Sequence, residues 1–310
     1  MIPKTNISAV LSLAAFLAGT VVVIGAPRHN SLSATAQNKK AKLDPIAWSP
    51  ANTDAPLASV SATPVCSLPQ VVEQAGQRAS ELVDNLEKFD AIENTRFEET
   101  DDFGVATLAV SSKAEYTVDF ERKRGALVLK ESRTQVGGSE PVPDGVRDAG
   151  LPGIALIFHP LYQTDFALQC EGAADWNGTA AWVIHFQQFK GRPSRILAFQ
   201  TTTGSVGAKL KGRAWIAEDS GQIVHVETNL IEGVGMLKLV SNSISIDYAP
   251  VQFTTQQVTL WLPRKTATYS DFGMRRTIMM HEYSNFKLFS VGTQSVIEKP
   301  KIPTEPPQKP

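Results

Sequence analysis

The chain has 310 residues, with 30 Lys and Arg against 31 Asp and Glu, for a formal net charge of -1. Nucleic-acid phosphates are held by clustered Lys and Arg, so this balance excludes nucleic acid as a partner of the body of the chain. Once a leader is set aside, the length allows one large or two small hydrophobic cores.

Lys4 is followed by a run from Ile7 to Ala26 without a charged side chain. That is the pattern of a positive n-region and an apolar h-region, and it is also about the length a helix needs to cross the ~30 Å hydrocarbon layer. The expectation is export to the periplasm or cell envelope, either free after cleavage near Ala34-Thr35-Ala36 or held by an uncleaved helix. Pro27 to Pro64 is rich in Ser, Ala, Pro, Asn and Thr without apolar periodicity, which predicts a disordered linker. Cys66 and Cys170 are the two cysteines of the chain. In an oxidising compartment they predict one disulfide, with two buried free thiols as the other reading.

Ser67-Leu68-Pro69-Gln70 offers a hydroxyl cap, a first-turn proline and a capping-box glutamine. Val72, Ala75, Ala79, Leu82, Val83, Leu86 and Phe89 then recur at three- and four-residue steps, predicting one amphipathic helix from Pro69 to about Phe89. With no second helix to meet it, its apolar face should cover a sheet. From residue 107 to 283 ten short β-rich runs follow, near 107–110, 115–120, 126–130, 181–186, 195–199, 213–217, 222–230, 243–248, 257–262 and 276–283. Turns are expected at Asp102-Phe103-Gly104, Arg124-Gly125, Asn177-Gly178, Asp219-Ser220-Gly221 and Ala249-Pro250. The spacing suits an antiparallel meander. Gly150 to Pro160 is the most apolar part beyond the leader, and reads as a buried segment, a short helix or a plug set against the sheet. The closing stretch Lys299 to Pro310 is proline-rich, hence extended and solvated, with a polyproline contact to a partner as the alternative.

This order of elements resembles the lipoprotein-carrier superfamily of LolA and LolB, most closely in Leu82-Val83-Asp84-Asn85-Leu86-Glu87-Lys88-Phe89-Asp90-Ala91, in Arg96-Phe97-Glu98-Glu99 and in the turn from Asp101 to Gly104. The resemblance implies a mainly β (α+β) fold: a curved antiparallel half-barrel of about ten strands covered by one long N-terminal amphipathic helix. It also implies an apolar cavity for acyl chains. The family's basic-Pro-aromatic-Trp stretch has no counterpart at Glu121 to Gly125, so no ligand-contacting residue carries over from it. Cys66 to Val291 is further similar to uncharacterised exported bacterial proteins in Trp182 to Phe186, Arg192 to Ile196, Lys211 to Ile216 and Trp261-Leu262-Pro263. The domain plan is residues 1–36 as signal peptide or anchor, 37–64 as linker, 65–297 as half-barrel and 298–310 as tail.

No motif for catalysis stands out. There is no HExxH, CxxC or Gly-x-Ser-x-Gly, and the histidines 159, 185, 225 and 281 are not spaced for one metal, so no cofactor, metal site or catalytic residue is assigned. Thr203 to Ala208 reads as a hairpin loop rather than a phosphate loop. Trp182, Phe186, Trp215 and Trp261 lie in three expected strands and are the candidates for an apolar ligand site, with Trp182 and Phe186 on one face and His185 on the other. The function expected is an envelope protein that binds a lipid or lipoprotein acyl chain. The alternative is a structural or interaction module with a filled core and an envelope protein as partner.

Overall fold

A computed structural model of the chain describes residues 44–61, 65–123, 126–143, 147–149, 151–201 and 204–289. The leader or anchor, the first part of the linker, the Arg124-Gly125 turn and the proline-rich tail lie outside the described residues.

The helix α1 spans Leu68–Asn85, with Val71, Ala75, Ala79 and Val83 forming a buried stripe at four-residue steps. Ser67 stands at its N-cap without a side-chain cap bond, so the expected capping box is not formed. The helix also ends earlier than the stripe suggested. Leu86 and Phe89 are both buried, but Phe89 belongs to β1 (Lys88–Asp101). Their spacing continues the helical period by coincidence: Phe89 also opens the alternation Phe89, Ala91, Glu93, Thr95, Phe97, and pairing on both edges of β1 fixes it as a strand.

The strands that follow are β2 (Ala106–Lys123), β3 (Ala126–Gln135), β4 (Arg147–Ala149), β5 (Phe166–Trp176), β6 (Thr179–Gln188), β7 (Leu197–Thr201), β8 (Gly204–Ala208), β9 (Leu210–Ala217), β10 (Ile223–Leu230), β11 (Ser241–Phe253), β12 (Val258–Asp271) and β13 (Arg275–Phe289). Ten of them form one curved antiparallel sheet in the order β3-β2-β1-β13-β12-β11-β10-β9-β6-β5, open rather than closed into a barrel. Strands β4, β7 and β8 form a small second sheet, so Gly204 to Ala208 is paired backbone rather than a free loop. Ala249-Pro250, expected to turn, lies inside β11. Pairing with β10 ends at Asp247, so the missing proline N–H faces no strand on that side.

The inner face of the sheet carries the main core. Ile184, Phe186, Ala214, Val226, Ile244 and Ile246 pack there with Val71, Ala75 and Val83 of α1. Between helix and sheet lies the segment Leu151–Phe158, wound as a 3-10 helix, with Ile154, Ile157 and Phe158 wholly buried. It is the plug. Gly212 makes room for it indirectly: a Cβ there would meet the Phe186 ring at 2.5 Å, and that ring stands edge-on to Phe158 at 6.5 Å.

The outer face is crossed by residues that composition assigned to the disordered linker. Ile46 N donates to Glu98 Oε2 of β1 at 3.0 Å, Trp48 packs edge-on against Tyr269 of β12, and Thr53 is fully buried with its N and Oγ1 on Asn229 Oδ1 of β10. Arg213 of β9 donates to Ala55 O at 2.7 Å, and Ser61 bridges to Ala173 of β5. The strap therefore runs across the sheet from β1 to β5. Its few apolar residues found partners because polar side chains of the sheet satisfy its backbone, a signal with no period to betray it. At β5 a Cβ on Gly172 would stand 2.3 Å from Ser61 O, so only glycine allows this approach. Just beyond, Cys66 and Cys170 form a disulfide with Cα atoms 6.4 Å apart, and the chain passes into α1 on the inner face.

Candidate functional site

The opening of the half-barrel lies where edge strand β3 faces the plug and the small sheet. There a pocket of about 240 Å³ is lined by Phe120, Leu127, Leu129, Leu156, Tyr162 and Ile196, with Ser194, Arg195 and Gln200 among its polar neighbours. β2 and β3 place the first three residues, and the plug places Leu156 at the back. Tyr162 ties the two sides together, since its hydroxyl accepts from Leu127 N at 3.0 Å. Arg195 is solvent-exposed at the edge of the pocket. The arrangement offers an apolar recess with a cation at its lip, chemistry suited to an amphiphile.

A second, smaller pocket of about 110 Å³ lies between α1 and the sheet, lined by Ala79, Leu82, Ala155, Ile223, Tyr248 and Trp261, with Arg78 and Glu81 at its edge. Burial drives the Tyr248 phenol well above its ordinary value, so it stays protonated.

The four aromatic residues expected to line one cavity are not brought together. Trp182 and Phe186 share the inner face; Phe186 is wholly buried between Phe158 and Phe166, and Trp182 is half-buried against the same core. Trp215 is on the outer face, 5.1 Å from the Trp176 ring and in a cluster with Val183 and Val224 that the strap's Leu57 and Val60 cover. Register decides this: Val183 pairs with Trp215 and Trp182 with Ile216, so adjacent positions of one strand face opposite sides. Trp261 lies in the part of β12 past the register shift at Asp247/Tyr248 and lines the helix pocket instead. His185 pairs with Arg213 and shares its outer face. The residues of the opening pocket were missed because Leu127, Leu156 and Ile196 come from three separate elements; the only sequence signal was the apolar run from Gly150 to Pro160.

Towards the other end of the inner face the core becomes polar. Arg133 Nε and Nη2 donate to Glu93 Oε2 and Oε1 at 2.7 and 3.1 Å, and His281 Nδ1 lies 2.9 Å from Glu93 Oε1. Burial works against the Glu93 charge, yet His281 and Arg133 outweigh it and hold the carboxyl at about 2. On the outer face His225 stacks on Trp176 with ring centroids 3.6 Å apart and sets Nδ1 2.7 Å from Asp247 Oδ1. Burial disfavours the imidazolium, but Asp247 and Glu227 raise its pKa above the ordinary value. Among the described residues no three His, Cys, Asp or Glu side chains are grouped to hold a metal ion.

No family model matches the chain, and no curated protein matches it. Among solved structures it is similar to a DUF1329 family protein from Desulfovibrio piger, at 11% identity over 72% of this chain and 93% of that one, with a TM-score of 0.38. It is also similar to a putative outer membrane lipoprotein-sorting protein domain from Vibrio parahaemolyticus, at 9% identity over 73% and 95% with a TM-score of 0.38. A LolA superfamily protein from Nitrosomonas europaea aligns at 10% identity over 71% and 94%, with a TM-score of 0.34. All three are remote. The site is defined by this chain's own side chains.

Proposed function

We infer that the protein is an exported binding protein of the cell envelope, which receives the apolar tail of a lipid or lipoprotein acyl chain at the opening of its half-barrel. The observation that carries this reading is the apolar pocket of about 240 Å³ between β3 and the plug, with Arg195 at its lip. Arg195 offers a charged partner for a carboxylate or phosphate head, while Leu127, Leu129, Leu156 and Ile196 exclude water from the tail. The Cys66–Cys170 bond supports an oxidising compartment, and the leader pattern of residues 4–26 supports export. Trp182 and Phe186 form the wall behind the plug, and Trp261 the wall of the smaller pocket; Trp215 belongs to the outer face.

A fluorescent fatty-acyl probe should bind the purified chain saturably. Leu129→Glu should weaken it roughly tenfold or more by placing a charge against the tail, and Arg195→Ala should weaken anionic probes while sparing neutral ones. A second reading rests on a different observation. Ile154, Ile157 and Phe158 fill the space between helix and sheet, as the core of a structural or interaction module would. A wild-type chain without saturable acyl binding leaves that second reading in place.

A further inference from the structure

Six of the ten large apolar side chains exposed among the described residues lie at one end of the sheet: Phe103, Val105, Leu108, Met236, Val240 and Met274. Five of them belong to three neighbouring connections, β1–β2, β10–β11 and β12–β13, and Leu108 stands at the start of β2 beside the first. Asp101 pairs with Arg275, and Val240 N donates to Asp271 O at 2.8 Å, so these tips adjoin one another. Phe103, Met274 and Met236 are 86%, 85% and 80% exposed. Scattered apolar residues at a surface need no explanation, but a concentration on adjacent tips does.

The tips are built turns. Asp101 Oδ1 accepts from Phe103 N and Val105 N at 3.0 and 2.8 Å, Asp271 Oδ1 accepts from Gly273 N at 2.7 Å, and Val234 bridges to Leu239. Two arginines beside them are paired, Arg275 on Glu99 at 2.8 Å and Arg276 on Asp271 at 3.2 Å. The turn bonds keep these backbone donors satisfied when the apolar side chains leave water. The strap enters the domain at this same end: Ile46 is bonded to Glu98, and Trp48 lies beneath the Arg276 guanidinium with 5.1 Å to the ring centroid. Seventeen residues, 27 to 43, separate that entry from the uncharged run Ile7 to Ala26. Where that run is kept as an anchor, these residues reach at most roughly 60 Å from a point beside the apolar tips.

We propose that this rim is a membrane-contacting surface, whose apolar tips Phe103, Met236, Val240 and Met274 enter the interfacial layer of a phospholipid bilayer. The contact is apolar in character: its members are apolar side chains, the exposed charges on the tips, Asp102, Glu232 and Lys238, are of mixed sign, and Arg275 and Arg276 are paired with Glu99 and Asp271. It does not depend on the ligand pocket, which lies at the other end of β2.

The test uses the full chain in dioleoylphosphatidylcholine vesicles, with and without phosphatidylglycerol. Because both native cysteines are bonded to each other, a single added cysteine takes an environment-sensitive fluorophore selectively. Labels are placed through Phe103→Cys and Met274→Cys at the rim, and through Thr255→Cys in the β11–β12 turn at the far end of those strands. The rim labels should shift to the blue and be quenched by lipids brominated in the acyl chain at least about threefold more than the Thr255 label, equally in both lipid mixtures. Met236→Asp with Val240→Asp should remove most of that shift at position 274. Rim labels quenched no more than the label at 255 would overturn the proposal. So would a shift that grows with protein concentration in the absence of vesicles, which would assign the rim to contacts between copies of the chain.

Discussion

Glu93 is bonded to Arg133 and His281 on the inner face while being only 1% exposed, which makes it the residue whose loss should be felt most. Glu93→Gln leaves Arg133 and His281 buried around a neutral amide. It should cost about 3–5 kcal/mol of unfolding free energy, measured by urea titration. The same carboxyl sets an acid limit. Its folded value of about 2 lies below the ordinary 4.5, so the stabilisation is complete above pH 4.5 and disappears as pH falls through about 2. That difference corresponds to about 3 kcal/mol, visible as a falling unfolding midpoint in acid that Glu93→Gln should flatten. His225 acts in the opposite sense. Its folded pKa is raised above 6.5, so its contribution is complete below pH 6.5 and is lost as pH rises through the folded value. His225→Gln should therefore cost more at pH 6 than at pH 9.

At the scale of elements, α1, the strap and the plug hold the sheet from its two sides. The disulfide joins residues 104 apart in sequence, at the point where strap becomes helix. Replacing Cys66 and Cys170 by Ala should cost roughly 2–5 kcal/mol in a thermal or denaturant melt, through the freedom returned to the unfolded chain. Leu86, 1% exposed where α1 hands over to β1, anchors a separate cluster with Phe89, Tyr116 and Leu262. Leu86→Asp would bury an unpaired charge there and should destabilise by several kcal/mol. Two polar side chains, Asn229 and Arg213, hold the middle of the strap. Arg213→Met with Asn229→Ala should leave the sheet folded while hydrogen exchange at residues 51–61 rises by orders of magnitude.

For the whole molecule, the outer face matters as much as the inner one. Trp215, Val183 and Val224 are buried on a side that a plain half-barrel would show to water, and Leu57 and Val60 of the strap cover them. A chain cut at the domain boundary expected from composition, starting at residue 65, should expose this cluster. It should then bind a hydrophobic dye and aggregate at concentrations where a chain starting at residue 44 stays monodisperse by light scattering.

The sequence by itself determined whatever repeats along the chain. The stripe of α1, the alternation of β6 and β10, the turns at Asn177-Gly178 and Asp219-Ser220-Gly221 and the two-cysteine staple are local or combinatorial signals. From them the helix, the disulfide and the antiparallel sheet were all legible. Tertiary structure alone decided which side each strand presented and what covered it. A one-residue difference in register sends Trp182 inward and Trp215 outward, and neither residue's type records that choice. Residues 44–61 carry no period, since their backbone is satisfied by Glu98, Arg213 and Asn229 from strands far away in sequence. The opening pocket and the apolar rim are likewise products of distant elements meeting. A cavity or a cluster of tips belongs to the packing of the sheet, and no window of sequence contains it.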